Sequence, residues 1–419
     1  MSAVFRKYRY YIFIILVGLG SLAVLNGLLQ LDQQTIIFPD CDNYLQSAQK
    51  MYHKFTGHFY RPMVMAFITG IPYLFGSSDA GIFTWSLVVN IFCWLSTSIL
   101  LFEILKNFVS PKKAFGVAIL PFLVVGNTVL NFHLLTENIF VFCIMLAFYT
   151  LLQYYKTRHF GYLSFSLAVF ISSMLIKPGA KFLAIVIVLF YFKELLKNYR
   201  QRSMIFFYGS VLMVLIQVVG MRIQYGDFTI SYIDGVTYHN YICSKAECFK
   251  NGTTYDQINN PRAEYLFTLD FTEQKKIAAA DLKNQLQNNF PNFVKAYFDD
   301  VKENTISGNS CIHFLENKKN SPDFDFWKTF FFDVTKWQNR LLSLLAVVLA
   351  GYFMLKNFRT NRWKFVIAFF IAYIIILSGI SCGQGDRFHL VTFPFVFLLL
   401  GLFVYRQKGT TLFSEPPQT

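Results

Sequence analysis

The chain has 419 residues, of which 54% are hydrophobic and only 15% charged. That balance excludes an ordinary soluble globular protein, and because the apolar residues gather in runs of about twenty it predicts an all-α polytopic membrane protein. A formal net charge of +14 would suit a nucleic-acid binder, but the position of the charges relative to the apolar runs decides against one.

Read at roughly 17 to 22 residues each, the runs predict about ten transmembrane helices, near 11–31, 81–102, 114–131, 137–155, 160–176, 179–192, 203–221, 340–355, 365–381 and 388–405. The sixth is the shortest and reaches through Leu196 if Lys193 and Glu194 snorkel. Arg6, Lys7, Arg9, Lys106, Lys112, Lys113, Lys156, Arg158, Lys193, Lys197, Arg200 and Arg202 then fall on one face, followed by Lys356, Arg359, Arg362, Lys364, Arg406 and Lys408. Only Glu103, Glu194 and Glu415 oppose them there, so the excess charge is a positive-inside signature with both termini cytoplasmic. The first run exceeds a signal-peptide core and is expected to stay as an anchor, in a membrane expected to be the bacterial cytoplasmic (inner) one.

This topology divides the chain into a membrane module, 1–221, an extracytoplasmic subdomain, 222–339, and closing membrane helices, 340–419, ending in a frayed tail at 414–419. No fixed-period repeat interrupts it. The seven cysteines form no CxxC pair and have no histidines at zinc spacing. Cys243 and Cys248 face the oxidising side, where a local disulfide and two free thiols are both open readings.

The first outer loop, 32–80, holds the segment most suited to chemistry, "FPDCDNYLQSAQKMYHKFTGHFYRP" at 38–62. Tyr44, Leu45, Ala48, Met51, Tyr52 and Phe55 recur at helical spacing, predicting an amphipathic helix that lies along the interface and closes at Gly57. Asp40 and Asp42 mark its N-terminus, as reactive carboxylates or as N-cap acids. Arg61, held extended by Pro62, is an interface anchor or a phosphate ligand. The apolar stretch 63–75 is too short to cross and reads as a second interfacial or re-entrant helix.

Later features point to the same outer face. Glu137, in the Thr-Glu-Asn that opens the fourth span, places a carboxylate at the hydrophobic boundary, where it is costly unless used. His133 nearby reads as structural. The turn Lys177-Pro178-Gly179 with Lys181 carries two cations outward against the general rule, as snorkelling lysines or as an anionic head-group site. Gly383-Gln384-Gly385-Asp386-Arg387 is a glycine-rich turn that offers backbone N–H groups and a guanidinium fork to a phosphate. In the large loop, 278–309 predicts amphipathic helices broken before Pro291, forming a lid or acceptor platform. Asn251-Gly252-Thr253 fits a glycosylation sequon or a hairpin turn.

The ordered series "PDCDNYLQSAQKM…RP", "TEN", "LIKPGA" and "GDRFHLVTFPFVFLLL" resembles the GT-C superfamily of polyprenyl-phosphate-sugar transferases, in particular the protein O-mannosyltransferases and the bacterial lipid A aminoarabinose transferase. The segment "LKNQLQNNFPNFVKAYFDD" resembles the helix, Asn-Pro, helix pattern such proteins carry before their later spans. The resemblance implies inverting transfer from a polyprenyl-phosphate sugar to a lipid, glycan or protein acceptor at the outer face. It assigns Asp40, with Asp42 as its neighbour, to the base, Arg387, Arg61 and Lys177 to the donor phosphate, and Glu137, Tyr44 and Tyr60 to orienting the acceptor or substrate. Some members have Asp-Glu where this chain has Asp40-Cys41-Asp42; Asp40 is favoured as the base and Asp42 as the helix cap. Metal use varies in the superfamily, so a divalent metal is possible, yet the sequence shows no ligand set for one. Competing readings are a lipid or lipid-linked glycan transporter or flippase and an O-antigen polymerase or ligase. Polar residues gathered at one face, with no half-repeats, disfavour the transporter.

Overall fold

The structure, a computed structural model, describes residues 3–34 and 38–405. Arg406, Lys408, Glu415 and the tail 414–419 lie outside the described residues, as do the side chains of Arg6 and Lys7. Among the described residues the chain is helical throughout, with one isolated β-bridge, between Asn309 and Gly385.

The chain opens with α1 (Ala3–Leu29), then the outer-loop pair α2 (Pro39–Lys54) and α3 (Met63–Gly70). Pro39 sits in the first turn of α2, and Phe55, in the left-handed region at φ 53°, ends it by donating its N–H to the Lys50 carbonyl. The terminator is thus Phe55 and not Gly57. Tyr44 and Ala48 of the predicted stripe are buried, and Tyr52 donates to the Phe67 carbonyl at 2.7 Å. A Cβ at Gly70 would lie 2.3 Å from the Tyr52 ring, so α3 packs directly on α2. Phe55 alone leaves the stripe, 91% exposed.

Next come α4 (Asp79–Leu105), α5 (Pro111–Ala118) and the short α6 (Val125–Val129). The stretch expected as the third span is broken by a 70° bend between Pro111–Leu123 and Val125–Phe132. Pro121, which lacks an N–H, forms part of the 3₁₀ turn that leads into the bend. The centre of the bundle is α7 (Glu137–Thr157), whose Phe140, Ile144, Phe148 and Leu151 are fully enclosed between α4 and α8 (Phe160–Ser173). After them run α9 (Lys181–Phe190), α10 (Phe192–Lys197) and α11 (Ile205–Tyr225).

The segment expected as the outer subdomain consists of α12 (Ile233–Val236), a π-helical turn (Thr237–Cys243), α13 (Ser244–Asn251), α14 (Pro261–Phe267), α15 (Phe271–Asn288), α16 (Phe290–Ile306) and α17 (Ser310–His313). The break between α15 and α16 falls at Asn289, where the Asn-Phe-Pro sequence predicts it. Cys243 and Cys248 are free thiols. Five positions apart on a continuous helical path, they point about 140° apart, which rules out a bond. Gly252, at φ 67°, caps α13, so Asn251-Gly252 ends a helix and does not turn a hairpin.

Membrane helices resume with α18 (Phe324–Asn357), 34 residues long and starting well before the span expected at 340. They close with α19 (Arg362–Ser378), the single turn α20 (Arg387–Leu390) and α21 (Phe393–Val404). Among the described residues five helices are long and apolar enough to cross a membrane, or six if the bent pair is one span, against the ten expected. The stretches 160–173, 178–190 and 393–404 are shorter apolar helices that fall below spanning length. The protein is an integral membrane protein of the all-helical kind the apolar runs predict.

Candidate active site

Five segments far apart in sequence meet at one end of the bundle. Asp40, in the first turn of α2, accepts from Arg61 Nη2 at 2.5 Å on one carboxylate oxygen and from Arg387 Nη1 at 2.8 Å on the other. Arg387, the first residue of α20, also donates Nε to Glu137 Oε1 at 2.9 Å, and Lys177 donates to that same oxygen at 3.0 Å. Asp40 and Arg387 therefore share one site, as the outer-face assignment of both loops requires. Glu137 is 1% exposed, and its second oxygen, Oε2, is enclosed with no hydrogen-bond partner among the described residues.

Local structure fixes each member. His58 Nδ1 accepts the backbone N–H groups of Tyr60 and Arg61, which turns Arg61 back toward α2. Its guanidinium lies 4.5 Å over the Tyr44 ring, and that of Arg387 lies 4.2 Å over the Phe38 ring. These aromatic faces support the two buried cations. The Tyr44 hydroxyl stands 3.4 Å from Arg61 and 3.5 Å from the Thr136 hydroxyl. Asp386 accepts from Asn309 Nδ2 at 2.9 Å; burial, opposed by that bond, pushes its carboxyl up to about 8. Gly126 makes room for it: a Cβ there would lie 2.5 Å from Asp386 Oδ2.

Two amides of the glycine-rich turn are engaged within the protein. The Gln384 N–H donates to Asn304 Oδ1 at 2.8 Å and the Asp386 N–H to the Gly308 carbonyl at 3.4 Å. Gly385, at φ 64°, is required because the Gly308 carbonyl lies 2.2 Å from where a Cβ would stand. The turn locks Arg387 in place, and the guanidinium is what faces the pocket.

The electrostatics follow from this pairing. Burial alone would push the Asp40 carboxyl up, but the charges of Arg387 and Arg61 outweigh it and hold the group well below the usual carboxylate range. Asp40 remains 27% exposed, toward a cavity of about 440 Å³. Arg61, Lys177 and Arg387 line its charged end, while Phe182, Tyr373, Ile376 and Leu377, from α9 and α19, line an apolar end. Phe182 and Ile376 are themselves exposed on the outside of the bundle.

Two of the anticipated residues stand apart. Asp42 is exposed and has no hydrogen-bond or ion-pair partner among the described residues. Two positions along α2 turn it about 200° from Asp40. It does not cap the helix either: the N-cap is Phe38, with no side-chain bond. Tyr60 packs its ring edge-on to Phe59 at 4.4 Å and does not line the cavity. His133 is buried, and its carbonyl accepts from Asn90. The sequence reading missed the outer-loop segment 233–241, which supplies Asp234, Thr237, Tyr238 and Tyr241 to the cavity, with Asp234 ion-paired to Lys181. Its density of tyrosines was the one available signal.

Among the described residues no three or more His, Cys, Asp or Glu side chains group to hold a metal. Both Asp40 oxygens and Glu137 Oε1 face cations, so a divalent ion there would meet guanidinium charge in place of free ligands.

Residues 60–221 match the family described as dolichyl-phosphate-mannose-protein mannosyltransferase, which bears out the resemblance to the GT-C superfamily. Similar solved structures are those of the Archaeoglobus fulgidus oligosaccharyltransferase. With an inhibitory peptide and a dolichol-phosphate it is 12% identical at a TM-score of 0.44, covering 96% of this chain and 50% of that one. Tethered to an acceptor peptide it is 13% identical at a TM-score of 0.46, with the same coverage. This chain spans about half the length of those proteins. No curated protein matches it.

Proposed function

We propose that this chain is a GT-C-type glycosyltransferase that moves a sugar from a polyprenyl-phosphate donor to an acceptor hydroxyl at the extracytoplasmic face, with inversion and with Asp40 as general base. The observation that carries the reading is the meeting of Asp40, Arg61, Glu137, Lys177 and Arg387 at the charged end of a cavity whose other end is apolar. A lipid phosphate needs both ends: cations for its head and an apolar groove for its chain.

Asp40 takes the proton of the acceptor hydroxyl as the acceptor oxygen bonds to the anomeric carbon. The bond from that carbon to the phosphate oxygen breaks, and its electron pair leaves with the polyprenyl phosphate. Arg61, Arg387 and Lys177 receive the added negative charge. In the resting site the two arginines make Asp40 a weak base. A phosphate that draws them away raises its basicity just when the donor is in place. Glu137 holds Arg387 and Lys177 toward the phosphate. The orientation, with both termini cytoplasmic, follows from the basic residues on the opposite face.

The test incubates purified protein with a labelled polyprenyl-phosphate sugar and candidate acceptors. Asp40→Asn loses transfer by about 10²–10⁴-fold, whereas Asp42→Asn keeps it. Full-rate transfer by Asp40→Asn removes the base assignment.

A further inference from the structure

We infer that the outer-loop segment 233–241 is the sugar-recognition wall of this pocket, and that the Tyr241 hydroxyl orients the donor's pyranose ring beside Asp40; this rests on the glycosyl-transfer reading above. The phosphate joins the sugar to the lipid chain, so with the chain in the apolar groove and the phosphate on the cations the sugar extends beyond the phosphate, past Asp40, against a further wall of the cavity. Thr237, Tyr238 and Tyr241, all from the π-helical turn, supply polar side chains to that cavity. With i→i+5 bonding, about 4.4 residues complete a turn, so Thr237 and Tyr241 share the face turned to the cavity.

The back of this wall is pinned. His239 Nδ1 lies 2.8 Å from Asp281, which also pairs with Arg262. The Asn240 carbonyl accepts from the Tyr255 hydroxyl at 3.0 Å and from Asn260 Nδ2 at 2.8 Å. At its leading end Asp234 pairs with Lys181 of α9, tying the wall to the membrane helices. The wall is thus fixed relative to Asp40, as a group that reads ring hydroxyls must be.

Tyr241 offers its hydroxyl to the cavity, and the thiol nearest in electrostatic influence, that of Cys382, is too weak a hydrogen-bond former to compete with a sugar hydroxyl. Burial, Cys382 and the Asp40 charge all raise its ionisation range, which keeps it a neutral donor beside the carboxylate. The predicted ligand class is a pyranose with a free hydroxyl at the ring edge.

The experiment measures equilibrium binding of sugar-free polyprenyl phosphate and of a set of polyprenyl-phosphate hexoses to the purified full chain and to Tyr241→Phe. The unchanged protein prefers at least one glycoside over the sugar-free lipid. Tyr241→Phe lowers that preference by about 5–10-fold, the loss of one hydrogen bond, and leaves sugar-free binding within about twofold. The inference is overturned if the unchanged protein binds all these lipids alike, if Tyr241→Phe keeps the preference, or if it weakens both kinds of lipid equally, as a packing defect would. Transfer is read separately: a protein that shows the preference but moves no sugar refutes the transferase reading and leaves the wall standing.

Discussion

The Asp40–Arg387–Glu137 network and the cluster around Lys245 in the outer subdomain are both ion networks with buried members, but their charges are balanced in opposite ways. The first sets three cations against two carboxylates and opens onto a cavity. The second sets Lys245 against Asp299 at 2.7 Å, Asp300 at 2.7 Å and Glu303 at 3.4 Å, with Lys245 and Asp300 sealed from solvent. A surplus cation beside an open cavity prepares a place for an anionic ligand; a surplus of acids around an enclosed lysine has none to take. Burial and the neighbouring Glu303 and Asp299 charges, opposed by Lys245, push the Asp300 carboxyl up to about 7. The first network is arranged for binding and the second for holding α13 to α16.

Substitutions that separate ligand binding from folding sharpen this contrast. The largest effect is expected at Arg387→Ala, which removes charge from the phosphate and from both carboxylates at once; transfer falls by about 10²–10³-fold with donor affinity, as kinetics and lipid binding together would show. Lys245→Met leaves the enclosed Asp300 without its cation and lowers stability by about 3 kcal/mol, read as a fall in the detergent-solubilised unfolding midpoint. Glu137→Gln keeps a hydrogen bond to Arg387 but loses the charge, for a cost of about 1–1.5 kcal/mol, or tenfold in transfer. Arg61→Met removes one of the charges that depress Asp40, so the acid limb of the transfer-versus-pH profile moves to higher pH.

A pH dependence of stability is expected from Asp300. Its folded ionisation, near 7, lies above the ordinary carboxylate value, so between about pH 4 and 7 the unfolded chain has released a proton that the folded chain keeps. Stability therefore declines as pH rises through that window and levels off above it. Asp300→Asn flattens the decline, and unfolding midpoints between pH 4.5 and 7.5 measure it.

Much of the site was legible because charge at a membrane boundary is costly unless used. Asp40, Arg61, Glu137, Lys177 and Arg387 each stand out at the edge of an apolar stretch, and one face of the bundle gathers them. What the sequence does not display is phase and long-range contact. Asp40 and Asp42 stand together in the sequence until α2 turns them apart, and Tyr241 enters from a π-helical turn just over two hundred residues along the chain from Asp40. The helical class was equally plain from the apolar runs, but the number of spans was not. Pro121 bends one expected span, while α18 runs unbroken past an expected boundary because its polar first half continues the same helix.

The central claim is that donor phosphate takes Arg61 and Arg387 from Asp40 and so makes it a base. A structure with a non-transferable polyprenyl-phosphate sugar analogue tests it most directly. The account predicts phosphate oxygens within hydrogen-bond distance of both guanidinium groups, with the Asp40 carboxylate released toward the acceptor side. Phosphate bound elsewhere, with the Asp40–Arg61 and Asp40–Arg387 pairs unbroken, would contradict it.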